Sequence, residues 1–446
     1  DLSDPFLMKG MKEAVDRISR ALDGGEKIVI YGDYDVDGIT STSIMVRGLT
    51  GFHGNVGYYI PQRETEGYGL NGKALEKLAG EGYTLLITVD CGISSADLIA
   101  EAPKGLDIIV TDHHTPPDVL PQCVAVINPH QKDCHYPYKE LAGCGVAYTL
   151  CRALYMKREG HDYDGTVELA ALGTIADVVS LTGENRIIVK EGMKRFLHTP
   201  VKGLAALLKA SGIVHEDTKE IKRADQVSFG LAPRLNAAGR IAQASEGVKL
   251  MTTDSMEEAE SLAQKLCETN VARQTIERDI FDQARERIAE LHMDKDMAFV
   301  VDGKDWHPGV IGIVASRILE IYHRPVFVIT IRNGVGKGSC RSIPAFNIYE
   351  ALSRQSDLLL QFGGHKMAAG FSIAPENIPE FRKRMNDYAR SVLTEEDCLP
   401  VLEVEENLPL DDITLDFSHS LDLLEPCGCD NPKPLFSTSG AFVETT

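Results

Sequence analysis

Short, unbroken apolar runs separated by helical stretches dominate the first 190 residues. Lys27-Ile28-Val29-Ile30-Tyr31, Thr84-Leu85-Leu86-Ile87-Thr88-Val89 and Leu106-Asp107-Ile108-Ile109-Val110-Thr111 have the length and continuity of strands buried on both faces of a parallel sheet. Their alternation with helical patterns is the signature of βαβ units. A helix is expected straight after Gly38, through Ile39 to Val46. From 191 to 254 the pattern stays helical but is broken by Gly203, Gly212, Gly230 and Pro233. Residues 255–292 contain no Gly or Pro and are rich in strong helix formers. They predict one helix of roughly 35 residues, about 50 Å long, and a helix so long and polar bridges two domains. Beyond it, Met297 to Val301 and Pro325 to Ile331 predict strands around a helix over 310–321, and Gly334 to Ser342 predicts a loop. Gly363-Gly364-His365 predicts a turn leading into a small-residue helix or strand, and Val401-Leu402-Glu403-Val404 alternates like a strand.

The expected architecture is therefore α/β. A parallel-sheet domain covers 1–190 with a helical extension over 191–254, a connecting helix spans 255–292, a smaller α/β domain covers 293–396, and 397–446 opens a further domain that is not completed. At 446 residues the chain exceeds one core and fits two or three domains. No apolar run reaches the roughly 18 residues of a membrane helix, and no signal pattern opens the chain, so a soluble, cytoplasmic, monomeric protein is expected. The first residue is Asp1 and not Met, as in a trimmed piece. Ten cysteines lack a repeating spacing, and the close pair Cys427 and Cys429 has no second pair to complete a zinc site; reduced thiols are expected.

A net charge of −20 argues against a phosphate-binding surface over the molecule as a whole. Local distribution changes that picture. Between Trp306 and Tyr349, Arg317, Arg324, Arg332, Lys337 and Arg341 face a single acid, Glu320. This segment can meet a phosphate while the rest stays acidic. Trp306 reads either as a base-stacking surface or as packing.

Four clusters carry the candidate chemistry: Asp33-Tyr34-Asp35-Val36-Asp37-Gly38, Asp90-Cys91-Gly92, Asp112-His113-His114 and Ala176-Asp177. All four are expected at strand ends, where ligands gather in open parallel sheets. Several carboxylates and one or two imidazoles would then share one crevice, a concentration of charge that calls for cations. Oxygen donors with an imidazole point to Mn²⁺ or Mg²⁺ more than to zinc. On an extended turn, Asp33 and Asp35 would point to opposite sides and feed two different ions, with Asp90 between them.

In this order, the motif Tyr31 to Ser41, Asp112-His113-His114, Ala171 to Asp177, Pro233 to Arg240, His307 to Arg317, Gly338-Ser339-Cys340-Arg341-Ser342 and Gly363-Gly364-His365 resemble the DHH phosphoesterase superfamily, in its single-strand-specific 5′→3′ DNA exonuclease branch. The resemblance implies a DHH catalytic domain, a DHHA1 substrate domain and, from Leu423 to Phe436, the entry to an oligonucleotide-binding OB-like domain. It implies Asp33, Asp35, Asp90, His113 and Asp177 as ligands of two Mn²⁺ or Mg²⁺ ions. Asp37 and Asp112 would stand behind them, with Asp112 orienting an imidazole, and His114 would join the catalytic group. Arg234, Arg240, Arg317, Ser339, Arg341, Gly363, Gly364 and His365 would hold the substrate, including a terminal 5′-phosphate that enforces polarity. The implied partner is single-stranded DNA, with a single-strand-binding protein or helicase beside it, in DNA repair and recombination. The alternatives are an oligoribonuclease or cyclic-dinucleotide phosphodiesterase of the same superfamily, or a scaffold that has lost catalysis. One departure stands out: where many relatives carry a metal-binding histidine two residues before the first aspartate, this chain has Tyr31.

Overall fold

Five strands, β1 (Lys27–Tyr31), β2 (Asn55–Tyr59), β3 (Leu85–Thr88), β4 (Asp107–Thr111) and β5 (Ala125–Ile127), pair in the order β2-β1-β3-β4-β5, all parallel. They belong to a computed structural model that describes residues 1–63 and 65–442; the last four positions of the expected C-terminal segment lie outside the described residues. The chain divides into two units, Asp1–Asn270 with Val404–Thr446, and Val271–Glu403. In the first unit, Ile28 and Ile30 of β1 enter one core while Val29 and Tyr31 enter the other, so the sheet is packed on both faces. That double burial is why β1, β3 and β4 read as unbroken apolar runs. The edge strands β2 and β5 carry no such run, β2 being Asn-Val-Gly-Tyr-Tyr and β5 only three residues long.

Two local expectations change here. The helix after β1 is Val36–Thr50, starting inside the acidic motif, because the Asp35 carboxylate caps it by accepting the Gly38 N–H at 3.0 Å. Asp177 ends a helix, Val167–Ala176, and not a strand. That segment is apolar all round because it is buried all round. Gly173 permits the fit, since a Cβ there would lie 2.3 Å from Thr40 Oγ1 and 2.6 Å from Cys144 Sγ.

The long helix is Met256–Glu290, 35 residues, and it runs from the first unit into the second. The second unit is a mixed sheet of β6 (Phe299–Lys304), β7 (Val326–Arg332), β8 (Val335–Arg341), β9 (Leu359–Gly364) and β10 (Ala368–Ile373), in the order β6-β7-β8-β10-β9. β6 and β7 are parallel across the helix Ile311–Tyr322; the other pairs are antiparallel. The loop expected over 334–342 is in fact β8. Asn333 (φ 50°) and Gly334 (φ 77°) form the two-residue hairpin turn that leads into it, and its glycines answer packing, since a Cβ on Gly338 would sit 2.2 Å from the Phe371 ring. The expected turn at Gly363-Gly364 is likewise the end of β9.

The alternation at 401–404 forms no strand, and Val401 and Leu402 are exposed. The two-residue β11 (Glu406–Asn407) and β12 (Phe436–Ser437) pair there in parallel, and Gly428 forms an antiparallel bridge with Asn431. The segment is tied to the first unit where Arg186 Nη2 donates to the carbonyls of Leu423, Leu424 and Glu425 and Leu181 N–H donates to the Cys429 carbonyl. All ten cysteines are free thiols. No helix of the described residues is long and apolar enough to cross a membrane.

Trp306 is a packing residue. It is 5% exposed, its Nε1–H donates to Gln283 Oε1 at 2.8 Å, and its carbonyl accepts from Thr330 Oγ1. Trp306→Ala is expected to cost about 3–5 kcal/mol, read as a lowered midpoint in urea unfolding, and a variant as stable as the parent would contradict this placement.

Candidate metal centre

The order β2-β1-β3-β4-β5 reverses between β1 and β3, and the crevice at such a switch point opens at the carboxyl ends of the strands. Asp33 follows β1, Asp90 follows β3 on a residue with φ 58°, and Asp112-His113-His114 follows β4. The helix ending at Asp177 brings the fourth cluster to the same place. Donor atoms of Asp33, Asp35 and Asp90 lie within 4.8 Å of one another, as do those of Asp37, His113 and Asp177, and those of Asp90, His113 and His114. Asp33 and Asp35 therefore share one group and do not point to opposite sides. Asp35 is the N-cap of the helix Val36–Thr50, with its carboxylate turned to the Gly38 N–H.

His113 Nε2 lies 3.1 Å from Asp90 Oδ1, 3.6 Å from Asp177 Oδ2 and 3.8 Å from Asp37 Oδ2. Asp33, Asp37 and Asp90 are at most 3% exposed. Burial, then the neighbouring Asp35 charge, pushes the Asp33 carboxyl up to about 8. Burial, followed by Asp37 and Asp35, pushes Asp177 up to about 9, and the same causes hold Asp90 well above the usual carboxylate range. Without a counter-charge this cluster resists ionisation. Two of its atoms, Asp33 Oδ1 and His113 Nε2, are buried without a hydrogen-bond partner, so the pocket presents unsatisfied donors and charge that a divalent cation fits.

The neighbouring acids are satisfied differently. Asp112 Oδ2 accepts the Ile93 N–H, and Oδ1 accepts the N–H groups of His113 and His114 and pairs with His114 Nδ1 at 2.7 Å. Burial lowers the His114 imidazole, but the Asp112 hydrogen bond and nearby carboxylates outweigh it and raise it to about 9. Asp37 accepts two backbone N–H groups at 2.7 Å, from Gly143 and Cys144 at the start of the helix Gly143–Glu159. Tyr31 does not join the acids. It lies on the opposite core face, donating its OH to the Gly69 carbonyl and stacked on Tyr59.

Three contributors escaped the sequence reading. Asn128, fully buried after β5, donates to the His114 carbonyl at 2.9 Å. Tyr68, half-exposed between two glycines, donates to the Asp90 carbonyl at 3.3 Å and stands edge-on to His114. Gly143 is required by close approach, since a Cβ would lie 2.7 Å from Asp90 Cβ and 2.9 Å from Asp37 Oδ2. The Ala142-Gly143-Cys144-Gly145 run was the available signal.

In the second unit, pairing sets Ser339 opposite Gly370 and Gly370 opposite Gly363, with Arg341 opposite Ala368. His365 N–H donates to the Ala368 carbonyl, and Arg341 Nη1 donates to Ser339 Oγ and the Cys340 carbonyl. Ser339, Arg341, Gly363, Gly364 and His365 thus lie together at one end of β8, β9 and β10. Arg317 lies 4.1 Å over the Phe281 ring and 3.6 Å from Glu277. In the first unit, Arg234 spends Nη1 and Nη2 on the carbonyls of Gly230 and Ser211. Arg240 follows Gly239, where a Cβ would strike the Tyr34 carbonyl at 2.2 Å.

Three family patterns match along the chain: the DHH family N-terminal domain at residues 27–174, the DHHA1 domain at 295–391 and the RecJ OB domain at 404–446. The single-stranded-DNA-specific exonuclease RecJ of Bacillus subtilis is 44% identical over all of this chain and 56% of its own length. That of Dickeya dadantii is 37% identical over 98% of this chain and 79% of its own length. The chain belongs to the RecJ family. RecJ from Thermus thermophilus in complex with Mn²⁺ matches with a TM-score of 0.84 at 37% identity, covering 96% of this chain and 61% of that one; its Mg²⁺ complex matches with a TM-score of 0.78. The chain thus spans little more than half of the Bacillus RecJ and less than two thirds of the Thermus RecJ structure.

Gly143→Ala is expected to push the Asp90 and Asp37 carboxylates apart while leaving the fold intact, weakening Mn²⁺ binding about 10- to 100-fold, as for other losses of ligand support. Isothermal titration with Mn²⁺ checks this, and unchanged affinity would show that the close approach does not matter to the ion.

Proposed function

We propose that this chain is a divalent-metal-dependent exonuclease that hydrolyses single-stranded DNA from its 5′ end to 5′-mononucleotides. The observation that carries the reading is the convergence of Asp33, Asp35 and Asp90 in one donor group, with His113 Nε2 3.1 Å from Asp90 and 3.6 Å from Asp177, while Asp33 Oδ1 and His113 Nε2 have no hydrogen-bond partner. The substrate is supported by membership of the RecJ family, whose matched members are named single-stranded-DNA-specific exonucleases, and the 5′ end is what the resemblance of the motifs implies. Mn²⁺ or Mg²⁺ suits the oxygen-rich donor set with its one imidazole, and both ions occur in the matched Thermus structures.

In this reading Asp33, Asp35, Asp90, His113 and Asp177 hold two ions. When bound, they supply Lewis-acid polarisation of the phosphodiester and activation of the attacking water. Asp112 fixes His114 through Nδ1, leaving Nε2 as the ring nitrogen available to substrate. Asp37, anchored by the Gly143 and Cys144 N–H groups, keeps the helix start against the acids. Ser339, Arg341, Gly363, Gly364 and His365 receive the terminal phosphate, with Arg317 as a further cationic contact of the second unit, and Arg240 is a separate substrate contact of the first unit. The enzyme acts as a cytoplasmic monomer in DNA repair and recombination, on strands supplied by a helicase or covered by a single-strand-binding protein.

With Mn²⁺, a 5′-phosphorylated, 3′-labelled single strand should be degraded progressively, while blunt duplex, short RNA and cyclic dinucleotides persist. EDTA and Asp90→Ala should each abolish the activity. Asp90→Ala should also remove the Mn²⁺-induced stabilisation of the parent protein, about 2.7 kcal/mol at an ion concentration 100 times Kd. An intact single strand, or turnover confined to cyclic or very short substrates, would overturn the reading.

A further inference from the structure

Tyr31 stands two residues before Asp33 and turns away from the acids into the core on the other face of the sheet. A fully buried phenol must spend its hydroxyl on partners, and here both its donor and its acceptor capacity are used. It donates to the Gly69 carbonyl at 3.0 Å and accepts from Asn71 Nδ2 at 3.2 Å. Asn71 Nδ2 also reaches Glu66 Oε1 at 3.1 Å, while its Oδ1 accepts the Ala74 N–H and so caps the helix Gly72–Gly80. The Glu66 carboxylate accepts the Tyr59 hydroxyl at 2.5 Å and the Gln62 N–H at 2.8 Å. Tyr31, Tyr59, Glu66 and Asn71 thus form one connected polar set, with the Tyr31 and Tyr59 rings stacked 5.2 Å apart.

What this set grips is the segment 65–71. Tyr68 lies between the two anchor points, Glu66 and the Gly69 carbonyl. Gly67 (φ 81°) and Gly69 (φ 80°) flank it, both in the left-handed region, and a Cβ at either would meet nothing within 4 Å. These glycines serve the backbone turn and not packing. The turn carries the Tyr68 hydroxyl to the metal centre, where it donates to the Asp90 carbonyl at 3.3 Å and lies 3.4 Å from His114 Nδ1. Asp90 is itself in the left-handed region (φ 58°), a conformation that persists in a non-glycine residue when its surroundings impose it. Tyr68 is 52% exposed, so packing holds little of it in place, and the grip on its two neighbours supplies the rest.

We infer that Tyr31 is a positioning residue of the metal centre that acts through Tyr68. The Tyr31 hydroxyl fixes the segment 65–71, and that segment holds the Asp90 peptide and the His114 ring in place, a role that rests on the reading of the acids as a divalent-metal centre. Phenylalanine at position 31 would fill the same core and keep the stack on Tyr59, so the hydroxyl is the part of the side chain that the centre needs. A tyrosine that only satisfied its own core would, in contrast, affect stability and leave the centre untouched.

The test is a double-mutant cycle on the full chain, with Mn²⁺ affinity by isothermal titration and melting temperature as readouts beside cleavage of a 5′-phosphorylated single strand. Tyr31→Phe and Tyr68→Phe should each weaken Mn²⁺ binding about 10-fold, as for other groups that support ligands. The double variant should lose no more than either alone, because the two residues act in series. Asn71→Asp keeps the helix cap and removes the amide donor, and it should give the same loss by a second route. Tyr136→Phe removes another buried hydroxyl, one that donates to Glu184 Oε2 at 2.6 Å, and should lower the melting temperature without weakening the ion. Losses that multiply in the double variant would overturn the role of Tyr31, as would Mn²⁺ binding like the parent's in Tyr31→Phe, Tyr68→Phe or Asn71→Asp. An equal loss in Tyr136→Phe would do the same, by showing that any lost core hydroxyl is felt at the ion. A parent that binds Mn²⁺ but leaves the strand intact would overturn the nuclease reading alone, with the cycle still deciding the role of Tyr31. A parent that binds no Mn²⁺ would overturn both.

Discussion

Packing many carboxylates into one dry crevice is the constraint from which the first unit follows. A buried carboxylate is tolerated when donors surround it, and the fold divides its acids on that basis. Asp112 accepts three backbone N–H groups and an imidazole, and Asp37 accepts two N–H groups from the start of a helix. These two are satisfied and become the frame. Asp33, Asp90 and Asp177 are left with repelling neighbours and raised proton affinities, which makes the centre a receptor for positive charge.

Holding such a frame requires backbones to come closer than side chains allow. A Cβ on Gly38 would lie 2.4 Å from the Asp33 carbonyl oxygen, one on Gly143 2.7 Å from Asp90 Cβ, and one on Gly239 2.2 Å from the Tyr34 carbonyl oxygen. The acidic turn is therefore clasped by glycines from three separate segments. Rigid support of this kind lets a cluster of like charges keep its geometry. The second unit uses glycine for the same close approach around Phe371.

Much of the fold was legible because double burial makes a strand apolar throughout. β1, β3, β4 and β7 and the long helix appear within two residues of where periodicity and composition put them. β8 was not legible, since glycine is depleted in strands on average and its two glycines answer only to partners across the sheet, Gly338 to the Phe371 ring and Gly336 to Ile373 and Ile329. Asp177 looked like a strand end because a helix buried on every side loses the 3.6-residue stripe that would reveal it.

For the centre, the sequence by itself determined the ingredients: which acids and histidines exist, that the first three clusters follow strands, and that oxygen donors with an imidazole favour a hard divalent cation. Tertiary structure decided the assignments. It made Asp35 a helix cap and brought its carboxylate into one group with Asp33 and Asp90. It gave Asp37 and Asp112 to backbone donors, brought Asn128, Tyr68 and Gly143 to the site, and turned Tyr31 into the opposite core. The reason is one of range. Residue chemistry and strand or helix period are local and can be read in order along the chain, whereas which carboxylate finds an N–H group, and which is left for an ion, depends on distant segments meeting at one place, as Asp37 meets Gly143 and Cys144.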